Sequence, residues 1–510
     1  MGSENNHFPT IQIFFKMLIT TKTLKEIYMD NNILSEKNIS FNEIEKKIFM
    51  TACEWAQKLT KYLLESIDKE LAESRDKKEY RSKGKRKTTI KTVYGEVEYS
   101  RHVYETKTEA GKKAYLYLLD REIGMDKIGL ISTNLAEKIT ATVVESPFRV
   151  TAKTITETCG QSISHGGVWN VVQMVGEKMN EEEDADVKKL KSGSPEGKKE
   201  VKVLFEEMDG LWIKMQGHSA KKAPGKEMKI GTVYEGWDTD SKDARRLVGK
   251  TVIAGMEKSS EFLEKREAQI NSIYNTDEIE LRILNGDGGS WISDPYGDDI
   301  IEQLDRFHVI KAIREKIAHE DYQKKLRKLL GERKIEELIE AVQIYADSVA
   351  AKDENDKKES NALELKKHLE NNKEKILRYD ERDLSIPQPP EGVVYKGMGV
   401  QENQNATVIA MRMKHGRKRW KEHSANNMAK LLYHNENGNL LEKVKRYTDG
   451  ALSEEMLKEN IEILSAAKAP KKDGKGRPYV DVFGVHMPIF DSSNITSAKM
   501  FKRLIWGRNC

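Results

Sequence analysis

Cysteine is scarce in this sequence. The only three, Cys53, Cys159 and Cys510, form no CxxC pair and stand at no metal-ligand spacing. That argues against a zinc site or a disulfide framework and fits a reducing, cytoplasmic compartment. Long apolar runs are missing too. No segment approaches the roughly 18 consecutive apolar residues that cross a bilayer, so no membrane partner is expected. Phe14, Phe15, Met17, Leu18 and Ile19 are interrupted by Lys16 and followed by no small-residue cleavage site, so no signal peptide is expected. A surplus of charge of one sign is also lacking. Basic and acidic residues number 87 and 83, a net +4, so bulk charge says little about partners.

What is present is locally uneven charge on a chain of 510 residues, a length that usually divides into about two to four domains. Arg75 to Lys91 holds nine basic and two acidic residues, and Arg412 to Lys421 holds six basic and none acidic. Such runs suit a polyanion; a solvated helix or loop face is the plainer reading of each. Lys85, Arg86 and Lys87 in the first run, and Arg412, Lys414, Arg417, Lys418 and Arg419 in the second, are the candidate DNA contacts. Trp420 in the second run either stacks on a base or packs in a core.

Residues 1–75 read as helical, with Ile44, Ile48, Ala52, Trp55, Leu59, Leu63 and Ile67 at three- and four-residue steps. Residues 76–125 hold the first basic run and a β-hairpin over 88–99 turning near Gly95. Residues 126–180 read as short helices. Within them Thr154–Thr158, a polar turn, and a second helix opening near Ser164-His165 have the cadence of a helix-turn-helix. The polar stretch 181–200 reads as a linker. From there the element order predicts a ribonuclease-H-like α/β core. Val201–Met208 is expected as a strand, Leu211–Gln216 as its hairpin partner, Met228–Tyr234 as a third strand and Thr251–Met256 as a further short piece. Ser259–Tyr274 is expected as a helix, Ile279–Leu284 as a strand and Asp298–Ala318 as a helix, completing the first part of the core at 318. Residues 319–390 form a helical insertion with an apolar stripe of Leu326, Leu329, Leu330, Ile335, Leu338, Ile339 and Val342, ended by Pro387-Gln388-Pro389-Pro390. The core resumes over 391–435, with Val400–Met413 in its last elements. The C-terminal region, 436–510, is expected to be helical over Ser453–Ala467 and otherwise loop-rich.

Two Asp-Gly steps stand out at the ends of predicted strands: Asp209-Gly210 and Asp287-Gly288. Phosphodiester cleavage needs an activated nucleophile and a stabilised leaving oxygen, and two divalent ions about 4 Å apart supply both. Hard ions such as Mg²⁺ or Mn²⁺ take carboxylate oxygens. Asp209 and Asp287 on neighbouring strands would provide them, although Asp-Gly is also a common turn dipeptide. Asp305 and His308 lie three residues apart on one predicted helix face, close after the second acidic strand.

These residues sit in segments that resemble the DDE transposases of the Mutator-related superfamily, most closely the ISLre-type bacterial insertion-sequence transposases. The resemblance is carried by Glu207-Met208-Asp209-Gly210-Leu211-Trp212-Ile213, Asn285-Gly286-Asp287-Gly288-Gly289-Ser290-Trp291-Ile292 and Leu304-Asp305-Arg306-Phe307-His308. Gly399-Val400-Gln401-Glu402-Asn403 and Arg412-Met413-Lys414 follow, and the segments together span most of residues 80–435. After Trp420 the chain departs from the family, with Lys421 and Ser424-Ala425 at the following positions. The resemblance implies that Glu402 is a third metal-binding carboxylate beside Asp209 and Asp287. It also implies that Asp305 and His308 form an Asp-x-x-His element near the scissile strand. It implies a transposase that binds two metal ions and double-stranded DNA and works as a homo-oligomer, because two element ends must be brought together. Two rival readings stay open: a ribonuclease-H-fold nuclease without strand transfer, and a non-enzymatic DNA-binding protein descended from a transposase.

Overall fold

Ser40 opens the first helix with a capping box. Its hydroxyl accepts from the Glu43 N–H at 3.3 Å, while the Glu43 carboxylate accepts the Ser40 N–H at 2.9 Å. The computed structural model describes residues 40–448, apart from 109–110, 124–130, 194–196, 218–220, 222–223, 240–245, 290, 293–299 and 352–355. The predicted helix at 453–467, and the parts of the terminal regions before 40 and after 448, lie outside the described residues. The chain divides into two units.

The described part of the first unit spans 40–120 and 156–162. Helix α1 (Phe41–Ser74) is present as predicted, but its buried residues are Cys53, Leu64 and Asp68, while Ile48 and Leu63 of the predicted stripe are exposed. Strands β1 (Arg81–Thr92) and β2 (Gly95–Lys107) pair antiparallel, and β3 (Lys113–Leu116) joins β2. The hairpin turns where expected, because Gly95 takes φ 122°, a value side chains resist. It is longer than predicted, and the basic run is its first strand rather than an approach to it. Asp68 of α1, fully buried, accepts the His102 N–H at 2.9 Å and its Nδ1 at 2.7 Å, fastening helix to sheet.

In the second unit, helices α2 (Thr133–Glu145), α3 (Phe148–Thr158) and α4 (His165–Lys191) come first. Ser164 caps α4 by accepting the Gly167 N–H at 3.1 Å. The short-helix, turn, long-helix order is as read, but α4 runs on through most of the predicted linker. The helix is held to the core on one side, where Glu183 pairs with Lys430 at 2.8 Å and Lys265 at 3.0 Å, while Glu181, Asp184 and Lys189 stay exposed.

A five-stranded sheet follows. Strand β4 (Val203–Lys214) pairs antiparallel with β5 (Gly225–Tyr234), and β5 pairs antiparallel with β6 (Thr251–Gly255). Helix α5 (Ser259–Ile273) crosses over to β7 (Leu281–Gly286), parallel to β4 on its other side, and β8 (Ile300–Leu304) lies parallel beside β7. The order is therefore β8-β7-β4-β5-β6. Two predictions are corrected here. Asp209-Gly210 does not end a strand: β4 continues to Lys214, and its hairpin partner is 225–234 rather than 211–216. Glycine at 210 makes room for the cross-strand Glu227 side chain, which a Cβ there would strike. Nor is 298–318 one helix. Ile300 and Ile301 suit a strand and pair with β7, and helix α6 (Arg306–Lys316) starts only after Asp305, whose Oδ1 accepts the Phe307 N–H at 2.9 Å.

The insertion is helical as predicted, with α7 (Glu320–Gly331), α8 (Ile335–Ala350) and α9 (Asp356–Asn371). Its core is the predicted stripe, closed by Val309 and Ile313 of α6. Residues 393–394 then join a small sheet with 236–238 and 247–248. Next comes a continuous helical stretch over 401–413: α10 (Gln401–Gln404), a π-helical segment (Asn405–Ala410) and a last turn (Met411–Met413). Helices α11 (Glu422–Glu436) and α12 (Leu440–Thr448) complete the described chain. No described helix is long and apolar enough to cross a membrane.

Candidate metal centre

The parallel strands bring the site together by register. Glu207 of β4, Asn285 of β7 and Gln303 of β8 lie side by side across the sheet. Two residues further along the three chains stand Asp209, Asp287 and Asp305, so side-chain alternation puts a rank of acids above a rank of polar residues. The ladder persists to this level, since the Asp305 N–H donates to the Gly286 carbonyl at 2.7 Å.

Asp209 is buried at 7% exposure. Its Oδ1 accepts the Gly210 N–H at 2.7 Å, and its Oδ2 accepts from Asn405 Nδ2 at 2.6 Å. His308 Nε2 lies 3.7 Å from the same Oδ2. Glu402, exposed, comes in from α10. One ligand atom each of Asp209, His308 and Glu402 lies within 4.8 Å of the others. Asp287 is half-buried and holds the Gly289 N–H at 2.7 Å. It is not a member of that group, though its charge is felt at both His308 and His368.

Asp209, as the acceptor facing the ring, is the main cause holding the His308 imidazole above its ordinary value; burial opposes this, and the charges of Asp209, Asp305 and Asp287 add to it. At 3.7 Å the contact is that of a long ion pair. Burial raises the Asp305 carboxyl, with Glu207 and Asp209 adding to the effect and the Phe307 N–H and His308 opposing it. Among the described residues, neither Asp209, Asp287 nor Glu402 forms an ion pair with a lysine or arginine. This donor set, two converging carboxylates and an imidazole with further acids beside them and no fixed cation to neutralise them, fits a divalent ion.

Of the expected site residues, the structure brings Asp209, His308 and Glu402 together, with Asp287 and Asp305 beside them at the same end of the sheet. Sequence reasoning missed Glu207 and Asn405, which hold the site's parts in place. Strand alternation was the available signal for Glu207, two residues before Asp209. The second basic run is only partly surface. Arg412 is buried, donates from Nε to the Val143 carbonyl at 2.8 Å and packs beside both the Phe148 and Trp420 rings; burial pushes its guanidinium down to about 10. Trp420 is buried as well and donates to the Met413 carbonyl at 2.9 Å. Both are packing residues, so the expectations of a phosphate contact and a stacking platform are corrected. Lys414, Arg417 and Arg419 are exposed, and Lys418 is half-buried against the Arg412 carbonyl. Lys85, Arg86 and Lys87 are exposed along β1, with Lys87 paired to Glu98 at 2.9 Å.

A family model matches residues 34–448, covering both units and the whole acidic constellation; it is described as an uncharacterised protein family, UPF0236. The chain belongs to UPF0236. A "UPF0236 protein in vanSb 3'region" from Streptococcus gallolyticus is 25% identical over 354 residues, 68% of this chain and 72% of its own length. A UPF0236 protein of Caldanaerobacter subterraneus subsp. tengcongensis, whose name joins four locus designations, is 24% identical over 431 residues, 83% of each chain. Another from that organism, whose name joins eleven, is 24% identical over 432 residues, again 83% of each.

Proposed function

We propose that this UPF0236 protein is a metal-dependent DNA transposase of the DDE type, similar to the ISLre-type and Mutator-related enzymes. The observation that carries the reading is the convergence of Asp209, His308 and Glu402 within 4.8 Å, at one end of three parallel strands and with Asp287 beside them. The strand order and directions, with three antiparallel strands and then two parallel ones on the far side of the first, support a ribonuclease-H-like core. The helical insertion falls between Asp287 and Glu402, as that reading expects. Relatives whose names join four and eleven locus designations fit a sequence copied repeatedly through a genome.

Asp209, Asp287 and Glu402 would hold two Mg²⁺ or Mn²⁺ ions, which when bound supply charge neutralisation at the phosphodiester and activation of the attacking oxygen. The chain itself positions and shields. Asn405 and the Gly210 N–H fix the Asp209 carboxylate, leaving its remaining lone pairs for a ligand. His308 offers a donor beside Asp209 for the departing oxygen, and Asp305 caps α6 so that His308 is aimed at the site. The exposed cations of β1 and of 414–419 would bind the phosphates of element ends and target, making affinity strongly salt-dependent. Hydrolysis at an element end would free a 3′-hydroxyl, and the same centre would direct that hydroxyl at target DNA, with a homo-oligomer holding both ends. A cleavage assay on duplexes taken from the DNA flanking the gene, with Mg²⁺ or Mn²⁺, tests this. Cleavage should vanish in Asp209→Ala, Asp287→Ala and Glu402→Ala; undiminished activity in any one removes that residue from the site.

A further inference from the structure

We infer that Glu207 is a positioning residue that latches the Glu402-bearing helix onto the strand that carries Asp209. Glu207 has no exposed surface, and no lysine or arginine pairs with it among the described residues. A buried carboxylate is costly unless its lone pairs are filled, and here they are filled from three directions. The backbone N–H groups of Gly399 and Val400 donate to it at 3.0 Å each, and that of Gln401 at 3.2 Å. Those of Val400 and Gln401 are unsatisfied first amides of the 401–413 helical stretch, and Gly399 is the residue just before its N-cap. Val400, its N-cap residue, has no side chain able to cap, so a strand residue far back in sequence does so instead. Gly399 reaches the carboxylate with φ 130°, a backbone value that favours glycine. Tyr234 Oη donates at 2.7 Å.

The third direction is a side-chain ladder whose polarity is fixed. The Tyr379 N–H donates to Gln303 Oε1 at 2.8 Å, so Gln303 Nε2 faces Asn285 Oδ1 at 3.0 Å, and Asn285 Nδ2 then donates to Glu207 at 3.1 Å. A backbone donor at one end dictates both amide orientations, and every group reaching Glu207 is a donor. Only an acceptor-only side chain satisfies that place. A glutamine would set an NH₂ against N–H groups, although it differs from glutamate by one atom.

The same helical stretch is fastened to β4 a second time, one turn on, by Asn405 on Asp209 at 2.6 Å. Two side chains of one strand, Glu207 and Asp209, thus set where Glu402 stands relative to Asp209. The ladder also ties that placement to Tyr379, just past the insertion's helices. The catalytic consequence rests on the metal-site reading above; the positioning does not.

The test uses the full chain and Glu207→Gln, Asn285→Asp, the double variant Glu207→Gln/Asn285→Asp, and Val400→Pro, which removes one latch donor while leaving the ladder's side chains intact. Amide hydrogen exchange of residues 399–413 is read without metal, and Mn²⁺ binding by electron paramagnetic resonance. Glu207→Gln should speed exchange in 399–413 about tenfold or more over the rest of the sheet and weaken Mn²⁺ binding about tenfold, as loss of an outer-shell support does. Asn285→Asp alone should be worse than wild type, with two carboxylates facing each other. The double variant should restore the 207–285 contact alone, the amide introduced on β4 donating to the carboxylate introduced on β7, and leave 399–413 loosened, because that amide still faces the Val400 and Gln401 N–H groups. If Glu207→Gln does not fold, Val400→Pro carries the test, with the same local loosening expected. Unchanged exchange in 399–413, loosening spread evenly through the chain, or a double variant that regains wild-type protection in 399–413 would each overturn the inference. Wild type that fails to bind Mn²⁺ while Glu207→Gln still loosens 399–413 would instead overturn the metal reading and leave the latch standing.

Discussion

Glu257 offers a sharp test of how the sheet is backed. It sits between β6 and α5 with its side chain 10% exposed, 2.7 Å from the fully buried Lys430 of α11 and 3.3 Å from Lys265 of α5. Burial alone would raise its carboxyl, but Lys430 and Lys265 outweigh that and hold it near 2 against an ordinary 4.5. A folded-state value depressed by that much stabilises the native protein above the unfolded value, and the contribution is lost as pH falls from about 4.5 toward 2. Taking about 1.4 kcal/mol per pK unit gives about 3 kcal/mol at neutral pH, falling to about 1 kcal/mol at pH 3. Breaking a buried ion pair typically costs about 3–5 kcal/mol, which agrees in scale. Glu257→Gln should therefore lower urea stability by about 3 kcal/mol at pH 7 and at pH 5, and by about 1 kcal/mol at pH 3. Tryptophan fluorescence on both proteins measures it. A loss under about 1 kcal/mol at pH 7, or one that does not shrink by pH 3, would refute the claim that this carboxylate is held charged by the two lysines.

In Gly176→Ala a new Cβ would meet the Asn427 Cβ at 2.5 Å, so α4 and α11 must part, at about 1–3 kcal/mol of overpacking, read as a lower thermal midpoint. Trp420→Ala should cost about 3–5 kcal/mol of stability while leaving DNA affinity per folded molecule unchanged; a selective loss of binding would restore Trp420 as a DNA-facing residue. Replacing Lys85, Arg86 and Lys87 with alanine should weaken DNA binding across all sequences. It should also reduce the slope of log affinity against log salt by about one for each phosphate no longer neutralised, measured by fluorescence anisotropy in a salt series.

Much of the fold was legible because periodicity and strand pairing agreed with local preference. The helix ending at Ser74, the Gly95 turn, β5, α5, β7 and the insertion's stripe all fell near their predicted places. The failures have particular causes. Asp209-Gly210 read as a turn, but cross-strand pairing with β5 overrode the dipeptide and the glycine serves packing. Asp298–Ala318 read as a helix because a parallel edge strand of five residues, β8, shows no alternation to separate it from a buried helical turn. The 181–200 stretch looked solvated because its acids find their partners some 250 residues later, on α11 and α12, as Glu183–Tyr433 and Glu182–Tyr447 do. Arg412 and Trp420 were legible as a basic run with an aromatic, but burial is a property of the fold, not of the run. Within the site, Asp209 and Asp287 showed themselves through their glycines. Glu402 came only by resemblance, since nothing local marks one acid among 83. Glu207 was hidden because its partners are backbone amides of a distant helix.

The central claim is that one acidic centre joins DNA ends. The most direct measurement is transfer of a pre-cleaved duplex, bearing the 3′-hydroxyl end of the flanking DNA, into a plasmid in Mg²⁺, with Asp209→Asn run beside wild type. Wild type should give joined product, with none when the metal is chelated and none with Asp209→Asn. Joining that survives chelation, or that Asp209→Asn performs as well as wild type, would contradict that claim.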